Sequence, residues 1–159
     1  MDSNMRLLVI SDSHGNYPLL LKLTEIIHHV DTVIHLGDGE EDAVLLAGLV
    51  DIKVIRIAGN CDQGSTSPRE MLWECEGKRL FFLHGDRYGV KQGLKSLEQR
   101  ATELKADAVF YGHTHIATNL ELSGTLFVNP GTLMKGTGFK SYAVVDVTEA
   151  GIEISLHQI

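Results

Sequence analysis

The 159-residue sequence contains little cysteine, little proline and no run of basic residues. Its two cysteines, Cys61 and Cys75, are too few for a disulfide framework, which favours a reducing compartment. The apolar stretch near the first residues is too short for a signal peptide or a membrane span. Together these absences predict a cytoplasmic protein that does not contact a membrane.

The charge balance argues against a nucleic acid as a partner. Lys and Arg total 14 and Asp and Glu total 21, which gives a net charge of −7. Nucleic-acid backbones are bound through basic patches that release counterions, and the sequence offers no such patch. A small phosphate substrate is not excluded, because two divalent cations would move the net charge to about −3.

No linker, repeat or low-complexity tract interrupts the sequence, so we predict one domain over residues 1–159. The first two thirds alternate short apolar runs with helical patterns, as βαβ units do. The pattern predicts strands at 6–10, 32–36, 53–58, 79–83 and 108–111, and helices at 18–30, 40–49 and 91–105. The last third predicts antiparallel strands at 119–122, 125–128, 142–147 and 152–156. The predicted fold class is α/β, with two packed sheets and helices outside them.

Five of the predicted strands are followed by polar side chains that commonly bind metal ions. Because the carboxyl ends of parallel strands share one edge of a sheet, we expect these side chains to converge there. Each of them alone has a structural explanation, such as a helix cap or a turn residue. Their joint occurrence at the same strand-end position predicts a metal site. The residues are Asp12 and His14, Asp38, Asn60 and Asp62, His84 and Asp86, and His113 and His115, and a sixth strand is followed by Asn129.

The types of donor atom indicate which metal ions the site would bind. Imidazole nitrogens with Asp and Asn oxygens, and no thiolate other than Cys61, suit Mn, Fe, Ni or Zn better than Ca or a zinc–sulfur site. The D-x-H and H-x-H spacings place two ligands on the same side of an extended backbone. The pattern is therefore typical of a catalytic site. Four other histidines follow no strand-end rule and receive no function here: His28, His29, His35 and His157.

The chain resembles the calcineurin-like metallophosphoesterases, in particular their small bacterial and archaeal phosphodiesterases. Six motifs carry the resemblance, in order between Asp12 and Thr132: D-S-H-G-N, G-D-G, G-N-C-D, H-G-D, G-H-T-H and N-P-G-T. The resemblance implies a four-layer αββα sandwich with two metal ions. The first would be held by Asp12, His14 and His115, the second by Asn60, His84 and His113, and both by Asp38.

The resemblance also implies the chemistry. A hydroxide bridging the two ions would attack the phosphorus of a small phosphate ester, with Mn²⁺ favoured and Ni²⁺, Fe²⁺, Zn²⁺ or Mg²⁺ as alternatives. Asn60, Asp62 and His113 are the candidate catalytic residues: Asn60 for a phosphate oxygen, Asp62 for orienting a ligand or a water. Many larger relatives have a histidine after the asparagine to protonate the leaving group, but this chain has Cys61. We therefore expect aryl esters to react faster than alkyl esters.

Several alternatives stay open at this point. Lys135 is either a contact for the substrate phosphate or an exposed loop lysine. The chain could be a protein-binding scaffold of the same fold, like the retromer subunit, although a scaffold would be expected to lose ligands. It could also be a nuclease of the superfamily, although it offers DNA no basic groove. The resemblance allows a homo-oligomer, and it leaves the substrate and the native metal undetermined.

Overall fold

The computed structural model describes residues 3–159. Within these residues ten strands and three α-helices follow one another, with a short 3-10 turn at Asp86–Tyr88. The elements are β1 (Met5–Ile10), α1 (Tyr17–Ile26), β2 (Thr32–His35), α2 (Glu40–Leu49), β3 (Lys53–Arg56), β4 (Glu70–Cys75), β5 (Lys78–Leu83), α3 (Lys95–Leu104), β6 (Ala108–Phe110), β7 (Thr118–Leu122), β8 (Thr125–Asn129), β9 (Ser141–Thr148) and β10 (Gly151–Gln158).

The strands form two mixed sheets of five. The first has the order β10-β9-β1-β2-β3, and the second has the order β4-β5-β6-β8-β7. Strands β1, β2 and β3 are parallel, with α1 and α2 as the crossovers, whereas β9 and β10 add antiparallel strands beside β1. In the second sheet β5, β6 and β8 are parallel, and β4 and β7 are antiparallel edge strands. The carboxyl ends of the parallel strands carry the predicted site.

Three apolar layers hold the sheets and helices together. Because side chains alternate along a strand, Leu7 and Val9 of β1 enter the core between the two sheets, while Leu8 and Ile10 pack with the helices outside the first sheet. On the far side, Leu97 of α3 packs on the outer face of the second sheet. The result is the predicted order of helix, sheet, sheet and helix. Among residues 3–159 no helix is long and apolar enough to cross a membrane.

Three details of the predicted elements were wrong. Helix α1 ends at Ile26 and not at residue 30, because Ile27 turns to an extended conformation. Helix α3 begins at Lys95 and not at residue 91, because Gly93 has a φ of 146°, which no helix accommodates. The prediction also missed β4, a half-buried edge strand that pairs with β5 across Glu76 and Gly77, both at positive φ.

Candidate metal centre

Six of the predicted ligands form two groups where β1, β2, β5 and β6 end. The first group is Asp12, His14 and His115, and the second group is Asp38, His84 and His113; within each group the ligand atoms lie within 4.8 Å of one another. Both sheets contribute, because Asp12, His14 and Asp38 follow strands of the first sheet and the other three follow strands of the second. The packing of the two sheets therefore assembles the site.

Asp12 is fully buried, and its two carboxylate oxygens differ. Oδ2 accepts hydrogen bonds from the Ser11 hydroxyl at 2.5 Å and from the His113 N–H at 3.1 Å. Oδ1 is the only buried side-chain N or O atom in residues 3–159 that has no hydrogen-bond partner. It lies 3.2 Å from His115 Nε2 and 3.9 Å from His84 Nε2. Since buried polar atoms are nearly always paired, Oδ1 marks a place for a ligand.

Asp38 belongs to the second group and also faces His14 of the first. Its Oδ2 is 3.2 Å from His84 Nε2 and 4.0 Å from His14 Nε2, while its Oδ1 accepts the Cys61 N–H at 2.8 Å. Burial alone would raise the pKa of Asp38, but the hydrogen bonds from His84 and Cys61 outweigh it and lower that pKa well below its usual range. Asp38 is therefore an ionised carboxylate that faces both groups.

The ring of His84 is fixed by the backbone. Its Nδ1 lies 2.9 Å from the Leu36 carbonyl oxygen, and because a carbonyl only accepts, Nδ1 carries the hydrogen. Nε2 then points at Asp38 and lies 3.2 Å from His113 Nδ1. Burial lowers the pKa of His84, but its contacts with Asp38 and Asp12 outweigh this and raise it. A metal ion would compete with a proton for this nitrogen.

The backbone is strained where the ligands lie. Nine non-glycine residues of the described chain have positive φ, and five of them are predicted ligands. Side chains rarely adopt this left-handed region, and such strain concentrates at functional sites. The five ligands are Asp12 (54°), His14 (42°), Asp38 (57°), His113 (71°) and His115 (66°). The loops therefore adopt backbone angles that are unfavourable in themselves but that place the ligand side chains together.

Asp62 organises the loop that carries Asp38. Its Oδ2 accepts the N–H groups of Asp38 at 2.7 Å and Gly59 at 2.8 Å, and its Oδ1 accepts those of Gly39 at 3.0 Å and Glu40 at 3.1 Å. Burial opposes these four hydrogen bonds, yet the bonds win and lower the pKa of Asp62. The carboxylate is therefore occupied with backbone donors, which is the arrangement of a positioning residue.

The other predicted residues lie around the two groups. The exposed Asn60 side chain places its amide nitrogen 3.5 Å from the Cys61 sulfur. Asn129 is buried and ties the H-T-H loop together, donating to the Gly112 carbonyl at 3.0 Å and to the Thr114 hydroxyl at 2.9 Å. Asp86 begins the 3-10 turn after His84, and Lys135 lies exposed in the loop before β9. Only Asn129 among these has a buried structural role.

A cleft of about 510 Å³ opens beside the two groups. His14 and Asp38 form part of its wall, with Cys61 near them. Carboxylates dominate the remaining charged lining, contributed by Glu40, Glu41, Asp42 and Asp62. The cleft gives a small molecule access to the ligands and exerts a negative field on it.

The sequence of the chain matches one protein family along most of its length. A model of the calcineurin-like phosphoesterase superfamily domain matches residues 5–150. The chain belongs to this family. The matched residues include both ligand groups and Asn60. The family and the fold class expected from the six motifs are thereby confirmed.

Named relatives of this phosphoesterase agree with the match. The probable metallophosphoesterase YsnB of Bacillus subtilis is 36% identical over 144 residues, which cover 89% of this chain and 83% of YsnB. Phosphodiesterase YfcE of Escherichia coli is 28% identical over 168 residues, which cover 89% of this chain and 88% of YfcE. Each match thus extends over most of this chain and most of the relative.

Solved structures share the same fold. A predicted phosphoesterase from Streptococcus pneumoniae is 25% identical with a TM-score of 0.82, covering 97% of this chain and 89% of its own. Vps29 of Entamoeba histolytica in complex with Zn²⁺ is 19% identical with a TM-score of 0.77, covering 98% of each chain. At that identity the Vps29 comparison supports the fold alone.

The sequence analysis missed residues that support the candidate metal centre without being predicted ligands. Ser11 bonds Asp12 Oδ2, and Thr132 donates its hydroxyl to the Asp12 carbonyl at 2.9 Å. A signal existed for Ser11, a polar residue between the apolar end of β1 and Asp12. Thr132 is 120 residues from Asp12, so only the packing of the chain reveals their contact.

Proposed function

We propose that this chain is a phosphodiesterase that uses two divalent metal ions, Mn²⁺ being the first choice, to hydrolyse small phosphate esters. The observation that carries the proposal is Asp12 Oδ1, which is buried, lacks a hydrogen-bond partner in residues 3–159 and faces the ring nitrogens of His115 and His84. A buried carboxylate oxygen without a partner costs free energy. A cation between these donors would remove that cost.

The donor set fits such ions. We assign Asp12, His14 and His115 to the first ion, Asn60, His84 and His113 to the second, and Asp38 to both. Carboxylate and imidazole donors without cysteine suit Mn²⁺ and its neighbours in the first transition row. When bound, two divalent ions make a nucleophile available from water near neutral pH and neutralise charge that develops on the phosphoryl oxygens.

The residues of the chain then hold and orient the substrate. The exposed amide of Asn60 can donate to a phosphate oxygen, while His113 serves as a metal ligand. Asp62 acts by holding the Asp38 loop. The acidic cleft repels a phosphomonoester dianion more than a diester monoanion, which supports the preference for diesters.

Cys61 stands where a general acid is expected. Partial desolvation and then the nearby charge of Asp38 raise the pKa of its thiol, so the thiol is protonated but a weak acid near neutral pH. Efficient general acids have a pKa near the working pH. We therefore expect aryl esters, whose leaving groups need little protonation, to react faster than alkyl esters. Equal rates for the two would contradict this part of the proposal.

The alternative functions fit the site less well. A scaffold has no need of a buried carboxylate oxygen that lacks a partner among the described residues, nor of five ligands at positive φ. A nuclease would need a basic groove, and the cleft is acidic. A cytoplasmic location and a homo-oligomeric state stay predictions.

The deciding experiment measures hydrolysis of bis-p-nitrophenyl phosphate and p-nitrophenyl phosphate by chelator-treated protein. Mn²⁺, Ni²⁺, Zn²⁺ or Mg²⁺ is then restored, and Asp38→Ala is assayed beside Asp51→Ala, an exposed aspartate outside the site. We expect metal-dependent turnover, faster with the diester, in the wild type and Asp51→Ala but not in Asp38→Ala. No turnover with any metal would remove the proposal and favour the scaffold.

A further inference from the structure

Three buried polar side chains outside both ligand groups form a continuous chain of hydrogen bonds. Ser13, His35 and Asp42 are each at most 3% exposed. Ser13 Oγ lies 2.8 Å from His35 Nε2 and 2.6 Å from Asp42 Oδ2. We call these three residues the Ser13 relay. It connects the loop after β1, the end of β2 and the first turn of α2.

The direction of every hydrogen bond in the Ser13 relay is determined. The Gly37 N–H donates to His35 Nδ1 at 3.1 Å, so Nδ1 carries no hydrogen. Burial lowers the pKa of His35, so the ring is neutral and its one hydrogen lies on Nε2. His35 therefore donates to Ser13 Oγ, and the Ser13 hydroxyl donates to Asp42. Asp42 Oδ2 also accepts the Gly15 N–H at 2.8 Å.

This arrangement is not a hydrolytic triad. In a Ser-His-Asp triad the imidazole accepts the serine proton and the carboxylate holds the far side of the imidazole. Here the ring donates to the serine, and the carboxylate takes the serine's own hydrogen. Ser13 is also fully buried, so no substrate reaches it. Its hydroxyl works as a fixed link between two side chains.

The Ser13 relay holds the segment that carries two ligands of the first group. Ser13 lies between Asp12 and His14, whose φ values of 54° and 42° need external support. The same segment is bonded to the next loop by Asp12 N–H to the Gly37 carbonyl at 3.0 Å and by His14 N–H to the Asp38 carbonyl at 3.2 Å. These two backbone bonds hold Asp12 and His14, and the side-chain hydrogen bonds of the Ser13 relay hold the residue between them.

Gly39 shows how closely the loops meet at the relay. A Cβ atom at this position would lie 2.2 Å from Ser13 Oγ and 3.0 Å from Asp42 Oδ2. Its φ of 142° also disfavours any side chain. The second glycine of the G-D-G motif is thus required both by its own backbone angle and by the close approach of the Ser13 relay.

We propose that His35 and Asp42 are positioning residues that act through Ser13 to set the metal affinity of the first group. The inference rests on the proposed function, since it assumes that the first group binds a divalent cation. Outer partners that orient ligands typically change metal affinity by about 10–100-fold. In the second group His84 is oriented by the Leu36 carbonyl, and Ser13 makes no hydrogen bond to that carbonyl in the described residues, so the Ser13 link acts mainly on the first ion.

The test is calorimetric titration of chelator-treated protein with Mn²⁺. In His35→Leu both the donor to Ser13 and the acceptor of the Gly37 N–H are lost, and we expect one of two Mn²⁺ equivalents to weaken about 10–100-fold while the other changes much less. In His35→Gln an amide N–H takes the place of Nε2–H, and we expect most of the affinity to return. Ile34→Ala is the matched control, because Ile34 is equally buried but faces the core between the sheets.

A purely structural role for His35 predicts a different pattern. In that case His35→Leu would lower the melting temperature, as Ile34→Ala does, and both Mn²⁺ affinities would stay unchanged. This result would overturn the inference. Should His35→Leu not fold, Ser13→Ala breaks the relay with almost no change in volume and must show the same selective weakening. Two wild-type affinities in a folded relay variant would overturn the inference but leave the proposed function intact. A wild type that binds no Mn²⁺ would overturn both.

Discussion

The first and second ligand groups lie side by side but differ in exposure and in what holds them. In the first group the side chains of His14 and His115 are 28% and 32% exposed, whereas in the second group those of His84 and Asp38 are 1% and 4% exposed. The second group is also held by direct contacts, from the Leu36 carbonyl to His84 and from Cys61 N–H to Asp38.

This difference shows how ligands that follow neighbouring strands can form two groups that are unequally ordered before metal binds. The second group is largely formed before any metal binds, because backbone groups orient its donors. The first group depends on Asp12, whose Oδ1 has no partner in the described part of the chain, and on two rings that solvent reaches. We therefore expect the second ion to be the more permanent and the first to be the more exchangeable.

The largest expected effect sharpens this comparison by removing one histidine from each group. His84→Ala and His115→Ala should each lower turnover on the order of 10³-fold, since a metal ion stabilises the transition state by several kcal/mol. In metal-free protein only His84→Ala should lose stability, about 2–3 kcal/mol, because a buried ring and its bond to Leu36 are removed. Urea denaturation after chelator treatment measures this difference.

The exposed His28, outside both groups, supplies the control for these two variants. His28→Ala should keep both turnover and stability. If His84→Ala and His115→Ala lost the same stability without metal, the second group would not be preformed, and the comparison would fail.

The next largest effect concerns Asp38, which the two groups share. Asp62→Asn replaces two acceptor oxygens by one oxygen and an NH₂ group, so two of the four backbone N–H groups meet a donor. We expect the affinity for both Mn²⁺ ions to fall about 10–100-fold, in contrast to the selective effect of His35→Leu. Calorimetric titration distinguishes the two patterns, with Asp51→Asn as the control. Weakening of only the first ion would show that Asp62 does not act through Asp38.

Sequence patterns predicted the frame of this fold because burial leaves a strong periodic signal. The strands that carry the site end in apolar runs buried on both faces, and each is followed within three residues by a candidate ligand. Strand β4 has no such signal, since its residues are mostly half-buried and alternate weakly. Helix ends were misplaced by four residues where a single backbone angle, at Ile27 or Gly93, decides the boundary.

The candidate ligands were predictable for the same reason, but the residues that hold them in place were not. The ligand positions follow from strand ends, whereas His35 is the last apolar-flanked residue of β2 itself, inside the strand predicted at 32–36, and its partner Asp42 lies in the first turn of a helix. Each of these positions alone has an ordinary structural explanation. Only the three-dimensional contact with Ser13 distinguishes them, and a contact across 22 or 29 residues leaves no local pattern.

A chelator titration tests the expected order of metal release. Protein loaded with two Mn²⁺ ions should release the first-group ion at a chelator concentration about tenfold lower than the second, because His14 and His115 are open to solvent and His84 is not. The spin coupling between neighbouring Mn²⁺ ions, followed by electron paramagnetic resonance, reports when the pair becomes a single ion. Simultaneous release of both ions would contradict the assignment of the exchangeable ion to the first group. Two-step release from the variant His115→Ala would contradict it as well.

The smallest effect tests the Asp12 carboxylate in metal-free protein. In Asp12→Asn the amide oxygen can keep the bonds from Ser11 and His113, and the NH₂ group can donate to His115 Nε2, which lies 3.2 Å from the present Oδ1. At pH 8.5 this replaces a buried carboxylate oxygen that lacks a partner by a hydrogen-bonded amide, so we expect metal-free Asp12→Asn to be about 1 kcal/mol more stable than the wild type. That corresponds to a melting temperature about 2–4 °C higher in a chain of this size. With Mn²⁺ at about 100 times its dissociation constant the order should reverse, because the wild type gains about 2.7 kcal/mol that the variant lacks. A variant less stable than the wild type in both conditions would mean that Asp12 serves the fold itself, and the first group would then be preformed like the second.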